Sequence, residues 1–319
     1  MFRVVKSADL QALDTTVRGA FLDAYRENPI YKPRWPLYAT KQTSTSKKNQ
    51  YPQILDAAVI REWNEGGRVV NGITIDGAEV ENQLWEKTYG IDRTDLDDDA
   101  SGAVREAVSR MRSMAGEYLR HPDKLCAAVL TGNTLALDGV ALFSASHKVN
   151  PNDPASATFT NTASGGLTAA NAADARAALL EMKAANGEPA NDGVEVALIV
   201  PPAKELAARK IAQADTIIYS GTGSDSPEQN VFRGAYLVIV EPRLAASYSG
   251  GSDTQWYMTD VTDPENRGII YQEREMVEIV SKFSPTDEDA FKHDRYVWGT
   301  RARYTAAAGN PRKILRRTG

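Results

Sequence analysis

The stretch that decides the fold reads Leu137-Asp138-Gly139-Val140-Ala141-Leu142-Phe143-Ser144-Ala145-Ser146-His147. Its Asp-Gly pair favours a tight turn, and the apolar residues that follow predict a short strand directed into a core. Ser144 and His147 stand three residues apart, as a nucleophile and its base could, but no Gly-x-Ser-x-Gly elbow surrounds them. We interpret both side chains as structural, closing a loop by hydrogen bonds to the backbone.

A hydrolase built on Ser144 and His147 is the enzymatic alternative, and that pair of residues is its only support. The three histidines, at positions 121, 147 and 293, show no short ligand spacing, and the single cysteine, Cys126, has no partner nearby in sequence. The sequence therefore predicts no catalytic residue, no metal site and no enzyme activity.

Two further motifs resemble ligand sites only weakly. The stretch Gly221-Thr222-Gly223 lacks the third glycine and the following helix that would present amides to a phosphate. The acidic cluster Asp95-Leu96-Asp97-Asp98-Asp99 lacks the central glycine and distal glutamate of a calcium loop, and an acidic leader to the following helix accounts for it better. We therefore expect no cofactor.

Composition narrows the protein class further. The chain has 319 residues, and its longest apolar runs, such as 196–200, are far too short to cross a bilayer. Its first residues lack the apolar core of a secretory signal, so we expect the protein to stay in the cytoplasm. The net charge of −5 argues against a nucleic-acid binder that grips phosphates over its whole surface. Arg312, Lys313, Arg316 and Arg317 make the C-terminus basic, and we expect them to be solvated.

Helical spacing of apolar residues predicts a first helix over residues 7–26, and three prolines then predict an extended arm to residue 51. A regular helix is predicted from Ser101 to Arg120, where His121-Pro122 should end it, with a second helix over 123–130. An alanine-rich helix is predicted from Thr168 to Asn186.

Between residues 51 and 90, short apolar groups alternate with turn formers, notably Asp76-Gly77, which predicts a long β excursion. This excursion has few residues that could form a core of their own, so we expect neighbouring subunits to cover it. The side chains assigned to that contact are apolar or aromatic: Trp63, Ile73, Ile75, Val80 and Trp85.

The remaining segments alternate between helix and strand. Strands are predicted over residues 194–200 and 236–240, with a helix between them that runs to about residue 214. Two period-two stretches follow, around residues 277–280 and 296–304. Strand, helix and strand in this order indicate an α+β fold.

Several runs together resemble the major head subunit of Mu-like tailed phages. They are Tyr51-Pro52, Arg61-Glu62-Trp63, Tyr89-Gly90-Ile91, Asp95 to Asp99, His121-Pro122-Asp123, Val200-Pro201-Pro202 and, most sharply, the run from Leu137 to His147. The resemblance covers about three quarters of the chain, and the order of the motifs carries it more than any single one.

The resemblance implies the capsid fold of phage Hong Kong 97, whose parts are an N-terminal arm, an extended hairpin called the E-loop, a peripheral domain and an axial domain. Its implied division is an arm over 1–50, an E-loop over 51–90, a peripheral domain over 91–187 with a spine helix over 101–120, an axial domain over 188–270, and a return to the peripheral domain over 271–319.

The function that the resemblance implies is self-assembly, as hexamers and pentamers, into an icosahedral head that encloses double-stranded DNA in the virion. A separate scaffold protein is expected, because the E-loop begins near residue 51 and leaves no room for a scaffolding segment. A portal and a decoration protein are further expected partners, with only weak contact to DNA and none to membrane. Lys47 and Lys48 show no matching asparagine and catalytic acid, so no covalent cross-link is expected.

Two non-enzymatic alternatives stay open at this point. The first is a shell of the encapsulin kind, which has the same fold but houses cargo enzymes. The second is another phage structural protein, such as a tail-tube or decoration subunit.

Overall fold

A computed structural model describes residues 7–27, 31–51, 78–98, 100–151, 153–191, 195–218, 227–284 and 286–319. Its α-helices are α1 (Ser7–Arg26), α2 (Arg93–Asp98), α3 (Ala100–Gly132), α4 (Ala169–Leu180), α5 (Glu205–Gln213) and α6 (Glu288–His293). Four 3-10 turns occur at Trp35–Leu37, Pro202–Lys204, Pro242–Leu244 and Pro311–Lys313. Among these helices, none combines the length and the apolar character that crossing a membrane requires.

Fifteen strands accompany the helices in the described ranges. They are β1 (Ala39–Thr43), β2 (Lys48–Gln50), β3 (Glu79–Glu81), β4 (Gln83–Asp92), β5 (His147–Lys148), β6 (Thr158–Phe159), β7 (Thr162–Ser164), β8 (Val196–Val200), β9 (Thr216–Ile217), β10 (Glu228–Gln229), β11 (Tyr236–Val240), β12 (Gln255–Asp260), β13 (Ile269–Lys282), β14 (Arg295–Ala308) and β15 (Ile314–Thr318).

The chain forms two compact units. The first comprises Met1–Pro33, Asn82–Asp123 and Glu273–Thr305, and the second comprises Arg34–Glu81, Lys124–Gln272 and Ala306–Gly319. The expected boundary between residues 187 and 188 lies within the range of the second unit, and the expected domain division stays a prediction.

In the first unit, β14 alternates between a covered and a more open face from Arg295 to Tyr304. The side chains of Tyr296, Trp298 and Tyr304 are buried, as the period-two pattern predicts. Helix α1 contributes to this core, because the Trp298 indole Nε1 donates to the Asp14 carboxylate at 2.9 Å. Strand β4 pairs antiparallel with β14, from Arg295 opposite Asp92 to Tyr304 opposite Gln83, and forms the last strand of its sheet.

The second unit contains a five-stranded sheet in the order β11-β8-β12-β15-β7. Strand β8 is buried along its whole length, as a continuous aliphatic run predicts for a central strand. It pairs parallel with β11 and antiparallel with β12. Helices α4 and α5 cover this sheet with a core of small and aliphatic side chains that includes Ala172, Leu179 and Ile211.

Pro122 does not end the long helix, contrary to the prediction. Helix α3 runs without interruption from Ala100 to Gly132, with Pro122 inside it. A proline removes one backbone donor and clashes with the preceding turn, which usually kinks or ends a helix. Here the apolar stripe continues on both sides of Pro122, with Tyr118 and Cys126 buried, so packing outweighs the local cost.

Two other boundaries also differ from the predictions. Asp95, Asp97 and Asp98, which were predicted as an acidic leader to the following helix, form part of the separate short helix α2. Helix α4 is capped by Thr168 as predicted, since its hydroxyl accepts from the Asn171 amide at 3.2 Å, but the helix ends at Leu180. The residues that follow turn back at Gly187, whose φ of +87° favours glycine.

Candidate functional site

The Ser144 and His147 side chains do not form a nucleophile and base pair. His147 is fully buried, with Nδ1 lying 2.5 Å from the Asp138 carboxylate and Nε2 lying 3.1 Å from the Leu142 carbonyl. The Ser144 hydroxyl instead accepts from the Ser146 amide at 3.1 Å. Both ring nitrogens of His147 therefore face acceptors, and neither is directed at a hydroxyl that it could activate.

The run from 137 to 147 thus closes on itself, as the structural interpretation predicts. Asp138 accepts from the Val140 amide as well as contacting His147, which fixes the turn. The neighbouring Asn161, 1% exposed, accepts from the Ser144 amide and donates to the Leu142 carbonyl. Buried asparagine supplies both donor and acceptor to backbone that would otherwise lack partners.

Replacing His147 by Ala should lower the free energy of unfolding by about 2–3 kcal/mol, because it removes the bonds of the imidazole to the Asp138 carboxylate and the Leu142 carbonyl and leaves a cavity in a fully buried site. Urea denaturation of the unassembled subunit measures this loss. Ser144→Ala serves as the matched control, and its expected change is within about 1 kcal/mol. Equal losses for the two variants would contradict the structural role of the histidine.

The other predicted ligand motifs give no site in the described part of the chain. Within those ranges, no three His, Cys, Asp or Glu side chains converge as metal ligands. The Gly221-Thr222-Gly223 stretch lies outside the described residues.

The basic C-terminus is only partly solvated, which corrects the prediction. Arg312 and Lys313 are 6% and 7% exposed. The Lys313 ammonium lies 3.0 Å from the Asp260 carboxylate, and the Arg312 guanidinium donates to three backbone carbonyls. Charge density along a sequence does not reveal whether the fold supplies acceptors, so this burial was not predictable from composition.

The three residues of the C-terminal 3-10 turn are also held through their carbonyls. Asn161 donates to the Pro311 carbonyl at 3.0 Å, and Asn191 donates to the Arg312 carbonyl at 2.8 Å. The Thr259 hydroxyl donates to the Lys313 carbonyl at 2.8 Å. The sequence did not predict these three hydrogen bonds, because each joins residues more than fifty positions apart.

The predicted interface residues fall into three groups. Trp63, Ile73 and Ile75 lie outside the described residues. Val80 is in β3 and is 6% exposed within the single chain, so its side chain has little surface left to offer a neighbour. Trp85, in β4, is half-buried. Their assignment to a subunit contact stays a prediction.

Trp85 forms one wall of a cleft in the first unit, between β4 and α3, with a volume of about 320 Å³. We call it the aromatic cleft, and its lining residues are Trp85, Glu86, Lys87, Tyr89, Ser113, Met114, Glu117, Tyr118, His121 and Tyr304. The Trp85 ring meets the His121 ring edge-on, with centroids 4.3 Å apart. Its Nε1 donates to the Tyr304 carbonyl at 2.8 Å, which holds the indole in place.

Buried hydroxyls hold the floor of the aromatic cleft. Nδ1 of His121 lies 3.0 Å from the Tyr304 hydroxyl. Burial raises the pKa of Tyr304, and its neighbour Tyr118 raises that pKa further. Tyr304 therefore stays uncharged at neutral pH, whereas Glu86, Lys87 and Glu117 are exposed charged residues of the lining. The aromatic side chains of the cleft suit an apolar or aromatic group.

A second cavity of about 630 Å³ lies farther along β4 and α3. Its lining includes the carboxylates of Asp92, Asp95, Asp98 and Glu106. Arg110 pairs with Glu106 on the same helix and stacks over the Tyr89 ring. Sequence reasoning interpreted the aspartates of α2 only as helix capping, because nothing in the sequence places β4 beside them.

Comparison with known proteins gives a consistent set of relatives. The family model described as Mu-like prophage major head subunit gpT matches residues 10–167 and 243–314, well over half of the chain. The Mu-like prophage FluMu major head subunit of Haemophilus influenzae is 30% identical over 116 residues, which cover 36% of each chain. The major capsid protein of Escherichia phage Mu is 27% identical over 161 residues, which cover 50% of each chain.

Both curated relatives are therefore matched over half of their length or less. Among solved structures, a chain of the procapsid of bacteriophage JBD30 superposes with a TM-score of 0.57 at 22% identity, covering 98% of this chain and 76% of that one. This likeness shows the phage capsid fold of the Hong Kong 97 type, as the resemblance implies. On the family match, the chain belongs to the Mu-like prophage major head subunits, which are structural capsid proteins.

Proposed function

We propose that this chain is the major capsid protein of a Mu-like phage, which self-assembles as hexamers and pentamers into an icosahedral head around double-stranded DNA. The observation that carries the proposal is the family match over both of its segments, together with a capsid fold shared along nearly the whole chain. The buried, fully bonded His147 argues against the hydrolase alternative, and we propose that the protein is not an enzyme.

Within that function, we assign residues 1–50 to the arm, 51–90 to the E-loop, 91–187 to the peripheral domain, 188–270 to the axial domain and 271–319 to the return segment. Helix α3 supplies the proposed spine helix over 101–120. Strands β2 and β3 pair at the base of the proposed E-loop, where Lys48 lies 3.1 Å from Glu79 and Lys47 lies 3.0 Å from Glu81.

We propose that subunits associate because their contact buries apolar surface that one subunit cannot cover alone. Trp63, Ile73, Ile75 and Trp85 are the side chains that we assign to this contact. Val80 stays a proposed member of this contact, although its side chain, 6% exposed within the single chain, has little surface to contribute.

Replacing Ile75 by Asp should reduce particle yield by at least about tenfold, since a carboxylate in an apolar contact costs several kcal/mol of desolvation. Negative-stain microscopy after sedimentation counts the particles. Ile75→Val is the matched control and should assemble normally, while circular dichroism verifies that both variants fold. Normal particle yield from Ile75→Asp would remove Ile75 from the interface.

The proposed partners follow from the same function. They are copies of this chain, a separate scaffold protein, a portal and a decoration protein, in a virion assembled in the bacterial cytoplasm. The net charge of −5 supports weak contact with the packaged DNA, because few phosphates can be neutralised.

A further inference from the structure

Residues 52–77 of the proposed E-loop lie outside the described residues, and Tyr51 and Ala78 flank them on either side. The backbone closes between these two residues, because the Tyr51 amide donates to the Ala78 carbonyl at 3.2 Å. Strands β2 and β3 continue the closure as an antiparallel pair of three residues each. We call the segments 48–51 and 78–81 the E-loop base.

The E-loop base is too small to be stable by itself. Within the described ranges, β2 and β3 form a separate two-stranded sheet, and an isolated pair of strands is at best marginally stable in water. The ion pairs of Lys47 with Glu81 and of Lys48 with Glu79 are exposed, so they add little stability. A contact with the rest of the subunit is therefore needed to hold the base in one orientation.

Gln272 provides this contact from β13, where its side chain is fully buried. The Tyr51 hydroxyl donates to Oε1 of Gln272 at 2.5 Å, and Nε2 of Gln272 donates to the Val80 carbonyl at 3.3 Å. All three residues belong to the second unit. A buried amide has both a donor and an acceptor to satisfy, and here one partner comes from each side of residues 52–77. One side chain therefore ties both halves of the E-loop base to β13.

We propose that Gln272 is a positioning residue for assembly, which fixes the direction in which residues 52–77 leave the subunit. This inference rests on the proposed function, in which the E-loop contacts neighbouring subunits. A base that is held at both strands presents the E-loop in one orientation, whereas a base that moves must be ordered each time a contact forms. That ordering costs conformational entropy and weakens association, so the buried amide favours assembly although it contacts no neighbour itself.

Gln272→Leu tests the anchor, since leucine fills a similar volume and can form neither hydrogen bond. Asn191→Leu is the matched control, because Asn191 is a similarly buried amide of the same unit that donates to the carbonyls of Leu179 and Arg312, away from the base. In the unassembled Gln272→Leu subunit, hydrogen exchange of the Tyr51 amide and of β3 should be at least about tenfold faster than in wild type. Asn191→Leu should leave exchange at these positions unchanged.

Particle yield in negative stain, compared at a temperature well below both unfolding midpoints, is the second readout. Gln272→Leu should lower the yield at least about fivefold relative to Asn191→Leu, because both variants lose a buried amide but only one loses the anchor. Tyr51→Phe keeps the bond between Gln272 and Val80, so it should give a smaller loss.

Two results would overturn the positioning role and leave the proposed shell function standing, provided that the wild-type chain assembles. They are wild-type exchange at the base in Gln272→Leu, and equal particle yields from Gln272→Leu and Asn191→Leu. A wild-type chain that forms no particles would overturn the shell function itself, and the role of Gln272 in assembly with it. Hydrogen exchange in the unassembled subunit would then still show whether Gln272 holds the base.

Discussion

Asp260→Ala should destabilise the unassembled subunit by about 3–5 kcal/mol, because it leaves the Lys313 ammonium buried without its counter-ion. The two groups lie 3.0 Å apart, and their side chains are 3% and 9% exposed. The pair joins β12 to the turn that precedes β15, and these two strands are adjacent in the five-stranded sheet. Its loss should therefore weaken the unit that contains both strands.

Acid should weaken the same pair. Burial raises the pKa of Asp260, but hydrogen bonds from Thr262 and from Lys313 outweigh burial and hold that pKa below its ordinary value. A carboxyl whose pKa is lowered by folding stabilises the protein above its unfolded pKa of about 4, and this contribution is lost as pH falls through the folded pKa. The difference between wild type and Asp260→Ala should thus shrink below about pH 4.

Urea denaturation at pH 7 and at pH 3 measures both effects. The double variant Asp260→Ala with Lys313→Met is the control, and it should be more stable than Asp260→Ala alone because no charge is left buried. A double variant that loses the sum of the two single losses would show that the two groups do not interact.

Arg312→Ala should cost about 3–5 kcal/mol, although no carboxylate in the described part of the chain contacts Arg312 directly. Its guanidinium donates to the carbonyls of Lys183, Lys148 and Val149, at 3.1, 3.2 and 2.7 Å, and it stacks over the Phe159 ring at 5.1 Å. Burial lowers the pKa of Arg312, which the nearby Asp138 carboxylate partly offsets. Truncation removes the stacking and leaves buried carbonyls without donors.

Thermal and urea unfolding of the unassembled subunit measure the Arg312→Ala loss. Arg317→Ala is the matched control. Its guanidinium donates to the Ser164 carbonyl in an exposed hydrogen bond, so its loss should change stability by less than about 1 kcal/mol. If the two variants lost equal stability, burial would not be what distinguishes Arg312.

Local periodicity predicted the helices and strands that pack on the core through one apolar face or one continuous apolar run. Helix α1, the buried strand β8 and the alternating strand β14 all have the predicted type and nearly the predicted ends. In each case the residues that pack on the core recur at the spacing of the element itself, so no distant partner is needed to recognise it. The family resemblance also lies in local runs, so the order of residues along the chain was enough to reveal it.

Boundaries and sites that depend on distant partners were not predictable in this way. Pro122 would end an isolated helix, but the packing of α3 on both sides keeps the helix intact. The basic residues of the C-terminus resemble a solvated patch until Asp260 and the backbone acceptors surround them. No pattern within one segment encodes an acceptor contributed by another.

The 137–147 run shows which features follow from local sequence and which depend on the tertiary structure. By itself the sequence determined a turn at Asp138-Gly139 and membership in a family that shares the run. The short strand predicted after that turn is wrong, because residues 140–144 form only an isolated bridge between Ala141 and Leu135. Only the tertiary structure decided what Ser144 and His147 do, because Asp138, Leu142 and Asn161 must fold around them to supply acceptors and donors. The aromatic cleft likewise exists only once β4 lies beside α3. Local propensity depends on neighbours in sequence, whereas burial and charge pairing depend on neighbours in space.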